Sequence, residues 1–195
     1  MKKAIACICI LSLYCSSYTL AQNESNENNI SLSIGTSNTS KLLLDNITIY
    51  GSPTTLVGKD RPGYSLIWDF ALGNVVSIGG TFSYNKSVLE VNKGLANEEI
   101  WEGKAYGVGG RLLFHLLGEK GETFDPYLGA GLHMLAWGVE RTPENTALTF
   151  DATKVNVLFP LTAGFRYYIS NEFGVGVEYS TSAASKLNLG VQLRF

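Results

Sequence analysis

Seven side chains in this sequence could carry chemistry: Asp69, Arg111, His115, His133, Arg166, Glu178 and Arg194. Each lies in a segment where bulky apolar residues recur at every second position, and each occupies the other, polar phase of that alternation. Period two is the signature of strands with one apolar face. The seven therefore point to the side opposite the apolar one. Crowded into a narrow interior, charges pair rather than stand alone, so the expected chemistry is a salt-bridge network that plugs the interior. The alternative is a polar path for small solutes. It would weakly favour anions, since Arg111, Arg166 and Arg194 outnumber Asp69 and Glu178.

His115 and His133 are the only histidines, and they would approach each other if the registers of their strands match. A metal site wants more ligands than two imidazoles, and the three cysteines, Cys7, Cys9 and Cys15, all lie near the start of the chain. No metal or other cofactor is expected. The glycine clusters GVGG (107–110), LGAG (128–131) and GVG (174–176) resemble phosphate-cradling loops only superficially. Such a loop joins a strand to a helix, whereas these sit inside alternating segments and are expected to pack an interior.

The elements that must position these residues are eight strands, at about 29–36, 63–72, 75–84, 104–117, 126–137, 158–169, 173–181 and 186–195. Short connections (Gly73-Asn74, Ser170 to Glu172, and less strictly Gly118 to Asp125) alternate with long polar ones at 37–62, 85–103 and 138–157. A meander built this way has tight turns at one end and large loops at the other. That asymmetry is typical of transmembrane barrels. In the first long loop, Leu42 to Leu44 and Ile47 to Tyr50 are expected to extend the barrel as a hairpin.

The apolar phase runs through Leu66, Trp68 and Phe70, Val108, Leu112 and Phe114, Phe165 and Tyr167, and Leu187 to Phe195, with no charge anywhere on it. A lysine or arginine on a lipid-facing strand at mid-bilayer costs ~2 to 4 kcal/mol, so this absence is what lipid requires. The polar phase is glycine and serine with a few charges of both signs, which suits the filled interior of an eight-stranded barrel. Closure also removes the unpaired edges that lipid cannot satisfy. Aromatics gather near the strand ends, with Tyr64, Tyr84, Tyr106, Phe159 and Tyr179 towards the loops and Phe70, Tyr167, Phe173 and Phe195 towards the turns. They would form two interfacial girdles. The fold expected is all-β: an eight-stranded antiparallel up-and-down transmembrane β-barrel.

The 195 residues carry a net charge of −2, with no lysine or arginine cluster of the kind nucleic acid requires. The start, MKKAIACICILSLYCSSYTLAQ, has two lysines, a short apolar core and small residues before a cut after Ala21. It reads as an export signal over residues 1–21, with the barrel domain over 22–195.

PYLGAGLHMLAWG (126–138), PLTAGFRYYISNEFGVGVEYS (160–180) and a final strand closing on phenylalanine together resemble the small porin-like outer-membrane β-barrels, in the style of the OmpA transmembrane domain and OmpX. The resemblance implies a location in the bacterial outer membrane among lipid and lipopolysaccharide. It also implies that the barrel assembly machinery reads Leu187, Leu189, Val191, Leu193 and Phe195 during biogenesis. Some eight-stranded relatives modify lipid A, and the deacylases among them carry a histidine and a serine two residues apart on one strand. Here His115 is followed by Leu116-Leu117 and His133 by Met134-Leu135, so neither histidine has that serine. The expected role is structural or surface-interacting, with an unidentified extracellular partner at the loops. A narrow solute pore comes second and a lipid A-modifying enzyme third.

Overall fold

The computed structural model describes residues 28–50, 55–96, 98–117, 123–142, 149–152, 155–181 and 186–195. The expected export signal lies outside these residues. In chain order the elements are β1 (Asn29–Thr36), α1 (Thr39–Asn46), β2 (Ile47–Tyr50), β3 (Leu56–Asp60), β4 (Gly63–Ala71), β5 (Val76–Val91), β6 (Glu99–His115), β7 (Phe124–Thr142), β8 (Thr149–Ala152), β9 (Val155–Leu158), β10 (Leu161–Tyr168), β11 (Phe173–Ser180) and β12 (Leu187–Arg194).

Eight strands, β1, β4, β5, β6, β7, β10, β11 and β12, pair antiparallel in a closed ring. The seam joins first to last, from Asn29 opposite Arg194 to Thr36 opposite Leu187. Beyond it the Asn28 N–H donates to the Phe195 carbonyl at 2.9 Å and the Phe195 N–H to the Asn28 carbonyl at 3.0 Å. The ladder thus runs to the last aromatic.

The apolar phase faces outward as the sequence predicts: Leu32, Leu66, Phe82, Val108, Leu112, Leu132, Phe165, Val175 and Leu189 are all exposed on the barrel wall. Tyr64, Tyr84 and Tyr106 stand side by side in register across β4, β5 and β6, the last two with ring centroids 5.2 Å apart. At the other end Phe124 and Phe165 meet at 5.7 Å. Tyr106 to Phe114 is nine residues of β6, roughly 30 Å of strand, which when tilted covers the ~25 Å apolar band of such barrels.

The long loops differ from expectation. β5 continues past residue 84 to Val91, β6 begins at Glu99, and β7 continues past 137 to Thr142. The loop expected over 85–103 shrinks to the connection between Val91 and Glu99, where Asn92 and Gly94 adopt positive φ. The physical reason is an inversion of polarity. Above the tyrosine row the outward positions hold Lys86, Glu90, Glu102, Lys104 and Glu140, paired as Lys86–Glu102 at 2.7 Å and Lys104–Glu140 at 2.8 Å. The inward positions hold Leu89, Val91, Trp101, Ala105, Leu135 and Trp137, all buried. The two-residue period persists while its phases exchange, because the wall leaves lipid and enters water.

The first loop does not fold back on itself as the expected hairpin. β3 pairs with the outer part of β5, and β2 pairs with β8. Leu42, Leu43 and Leu44 lie in α1 instead of a strand. β3–β4 and β9–β10 read as two strands, each broken at a proline, Pro62 and Pro160. Proline has no N–H to give a ladder. The start of α1 is held by Asp60, whose carboxylate accepts from Ser40 N at 2.8 Å and Ser40 Oγ at 2.7 Å. A carboxylate there meets the positive end of the helix dipole. Leu43 then drops into the core of Leu89, Trp101 and Leu135, a burial worth roughly 2 kcal/mol. Gly103 makes the approach possible, since a Cβ there would lie 2.2 Å from Leu43 Cδ1. The result is an apolar cap on a barrel whose wall stands tallest at β5, β6 and β7.

Candidate functional site

Within the belt the inward side chains form a connected ionic cluster. Asp69 on β4, Gly79 on β5 and Arg111 on β6 lie in register, so the arginine passes over the glycine to reach the carboxylate. Arg111 Nε donates to Asp69 Oδ1 at 2.8 Å and Nη2 to Oδ2 at 2.6 Å. Its third nitrogen, Nη1, donates to Glu178 Oε2 of β11 at 2.6 Å. Arg166 of β10 donates through Nη2 to the same Asp69 Oδ2. Tyr127 of β7 donates to Glu178 Oε2 at 2.9 Å, and its ring lies 4.6 Å from the Arg166 guanidinium carbon. Five strands contribute to one cluster. All five residues are buried or nearly so, and Arg166 is 3 % exposed.

A second group adjoins it towards the turn end. Asp125 lies 3.7 Å from Arg166 Nη1 and 2.8 Å from His115 Nδ1. His115 Nε2 in turn lies 2.9 Å from Ser77 Oγ of β5. This is the Ser–His–Asp order of contacts that activates a serine in acyl-transfer enzymes. Ser77 is only 2 % exposed.

Of the residues singled out by sequence, Asp69, Arg111, Arg166 and Glu178 thus come together, and His115 joins them through Asp125. His133 does not. It stands opposite Gly109 of β6, beside Ser83, where a Cβ on Gly107 would meet both side chains. His115 is opposite Tyr127, six residues before His133 on β7, a separation of roughly 20 Å along the strand. The two histidines do not approach each other. Among the described residues no three potential metal ligands gather. Arg194 stands apart at the turn end, its guanidinium carbon 3.9 Å from the centre of the Tyr168 ring and its Nε donating to the Asn171 carbonyl at 2.8 Å.

The expected surplus of arginine is also corrected. Asp125 is a third inward carboxylate, so the connected cluster holds Arg111 and Arg166 against Asp69, Asp125 and Glu178. The sequence pattern places Asp125 in the connection over 118–125 and gives Tyr127 no role. Carrying the alternation back from Gly129 through Tyr127 would have found both. Ser77 carries no sequence signal of its own, because its partner His115 lies on another strand.

Two small cavities flank the Arg111–Glu178 pair. One of about 40 Å³ is lined on the loop side by Ser65, Ser83, His133, Thr162 and Asn188. The other, about 10 Å³, is lined by Ser31, Tyr127, Arg166 and Gln192. They have room for about three waters and one water respectively. Neither is lined by Ser77 or His115.

Residues 7–195 match the family described as outer membrane protein beta-barrel domain. No curated protein sequence matches the chain. Among solved structures the chain is similar to the outer membrane protein OprG of Pseudomonas aeruginosa, at 12% identity over 88% of this chain and 96% of that one, with a TM-score of 0.54. Neisserial surface protein A gives 14% identity, 87% and 96% coverage and a TM-score of 0.49. Ail of Yersinia pestis, solved with the heparin analogue sucrose octasulfate, gives 16%, 87%, 96% and 0.44. At these identities the likeness is one of fold.

Proposed function

We propose that this chain, which belongs to the outer-membrane β-barrel family, is a closed barrel that presents a folded cap outside the cell and conducts little through its lumen. Its role is structural or surface-interacting. The observation that carries the reading is the mutual pairing of Arg111, Asp69, Arg166 and Glu178 across the lumen. An ion must break those contacts to pass, and breaking a buried pair leaves an uncompensated charge. The cap of Leu43, Leu89, Trp101 and Leu135 adds an apolar obstacle above them. In planar bilayers the wild-type protein should give no discrete openings, and replacing both Arg111 and Arg166 by serine should create them. Reproducible wild-type channels altered by substituting Arg111 would establish the narrow-pore reading instead.

The enzyme reading has one observation of its own, the Ser77–His115–Asp125 contacts. Against it stand the burial of Ser77, the sharing of Asp125 with Arg166, and two cavities that do not reach the serine. A nucleophile must lie about 3 Å from a reacting carbon with oxyanion donors beside it. We read these three residues as the lower end of the plug.

Residues 1–21 serve in this reading as an export signal. The closing strand, with Leu187, Leu189, Val191, Leu193 and Phe195 outward and exposed, serves as the segment read by the barrel assembly machinery. Extracellular partners would meet the cap.

A further inference from the structure

One strand resists the inward turn to apolar residues above the tyrosine row. The inward positions of β5 stay polar through Ser83, Asn85 and Ser87 before Leu89 and Val91 join the apolar cap. On the rungs of Ser83 and Asn85, β7 already carries the cap residues Leu135 and Trp137. Between them β6 places Gly107, Ala105 and Gly103 opposite Ser83, Asn85 and Ser87, none with a polar side chain to offer. On the other flank Ser87 stands opposite Asp60 of β3, whose two oxygens are taken by Ser37 and Ser40 at the start of α1.

Ser83 is 2 % exposed, and Asn85 and Ser87 are fully buried. Among the described residues Ser83 Oγ, Ser87 Oγ and both amide atoms of Asn85 have no hydrogen-bond partner. Buried hydroxyls and amides are nearly always hydrogen-bonded, and leaving them bare is unfavourable. The two glycines hold space in front of them. A Cβ on Gly107 would lie 2.3 Å from Ser83 Oγ and 2.7 Å from His133 Nε2, and one on Gly103 would lie 2.8 Å from Ser87 Oγ. Below, Ser83 and His133 edge the cavity of about 40 Å³, with Thr81 and Thr162 on its walls and the Arg111–Glu178 pair at its floor. Above, Leu43 reaches the same Gly103 as Ser87 and closes the top. The interior is thus layered: an apolar cap, a neutral polar chamber and an ionic floor.

We propose that the chamber binds a small uncharged solute of the amide class, held between Ser83 and Asn85 beneath the cap. Its size suits the space of about three waters. Inward side chains two residues apart on a strand stand roughly 7 Å from each other, a gap that one amide bridges with a hydrogen bond at each end. Asn85 offers an acceptor and two donors and the serines offer both, which matches a molecule carrying both. An ion would leave its hydration shell without gaining a counter-charge, because Arg111 and Glu178 already pair with each other. The inference rests on the closed-barrel reading and goes further: the plug is the floor of a dead-end site, and the solute enters and leaves past Leu43.

The test titrates full-length protein, folded in neutral detergent, with acetamide, acetate or ethylammonium, three probes of similar shape and different charge. Acetamide should give intermolecular nuclear Overhauser effects from its methyl group to Ser83, Asn85 and the His133 ring, at concentrations where the two ions give none. Ser83→Ala with Asn85→Ala should weaken acetamide binding about tenfold, as expected for two lost hydrogen bonds. The same double variant should unfold in guanidinium chloride at the wild-type midpoint or above it, because the atoms removed have no partner within the protein. A lowered midpoint with unchanged affinity would assign these side chains to structure alone and overturn the proposal. Effects from water only at the three residues would overturn it too, as would equal binding of either ion. Leu43→Ala should speed entry and exit together several-fold at unchanged affinity, and unchanged exchange rates would overturn the placement beneath the cap. Discrete openings of the wild-type protein in planar bilayers would count against the closed-barrel reading, whereas acetamide bound in a non-conducting barrel would support both.

Discussion

Arg111 grips Asp69 across an intervening strand, Nε to Oδ1 at 2.8 Å and Nη2 to Oδ2 at 2.6 Å. The same carboxylate also accepts from Arg166, so one acid answers two buried guanidiniums. Asp69→Ala should therefore cost roughly 3–5 kcal/mol, the usual result of stranding a buried charge. Arg111→Met should be costly in its own right. The double variant should cost less than the sum, by a coupling of roughly 0.5–3 kcal/mol. Urea unfolding in lipid vesicles measures all four corners of the cycle. Strict additivity would show that the two residues are not energetically paired.

Gly79 is the floor over which that pair closes. A Cβ there would lie 2.2 Å from Asp69 Oδ1 and 2.3 Å from the Trp68 carbonyl oxygen, so Gly79→Ala must push the carboxylate or the backbone aside. The expected loss is about 1–3 kcal/mol. Gly110→Ala is the comparison, since its added methyl would meet only the Gly79 carbonyl, at 3.8 Å. It should change stability little. Equal effects of the two substitutions would sink the steric account.

Ser77 offers a direct choice between plug and enzyme. If the contacts with His115 and Asp125 are structural, a fluorophosphonate probe should leave Ser77 unlabelled in the native barrel. Ser77→Ala should then cost about 0.5–1.5 kcal/mol, the net worth of one hydrogen bond. Probe attached at Ser77 in native protein, and lost in His115→Ala, would restore the enzyme reading. Mass spectrometry of the digested protein decides.

The belt was legible because lipid allows one solution for its outward face, an apolar residue at every second position, as in Leu187, Leu189, Val191, Leu193 and Phe195. The same rule failed above Tyr84. There Lys86, Glu90, Glu102 and Lys104 took over the outward phase and Leu89, Val91 and Trp101 the inward one, so a search for one unbroken apolar face stopped short and read a loop. In the lumen, Asp69, Arg111, Arg166 and Glu178 all lie on the inward phase of their strands. Which of them touch depends on register between strands far apart in the chain, and a single sequence does not carry that. His115 and His133 share a phase yet sit far apart, while Asp125 and Ser77 became partners of His115 through pairings no local pattern announces.

Leu43 tests whether cap and belt are separable. It is fully buried among Leu89, Trp101 and Leu135, all above the tyrosine row. Leu43→Ala should leave a cavity costing about 2–5 kcal/mol, felt by the cap alone. Limited proteolysis should then cut near α1 and β3 faster in the variant. Heat-modifiable migration, which reports the barrel, should be unchanged. Loss of both together would show one cooperative unit.

Phe195 has two roles that can be separated. Its backbone closes the seam with Asn28, donating at 3.0 Å and accepting at 2.9 Å, and its ring, 61% exposed, lies on the outward face. Phe195→Ser keeps both backbone hydrogen bonds and removes only the ring. Folding into vesicles without accessory proteins should then lose about 1–2 kcal/mol of lipid contact, a modest fraction of a barrel's stability. In cells the loss should be far larger if the assembly machinery reads the aromatic, with outer-membrane levels falling several-fold against wild type. Comparing the two measurements on the same variant isolates recognition from stability. Normal cellular assembly of Phe195→Ser would remove the recognition role and leave the seam as the residue's whole contribution.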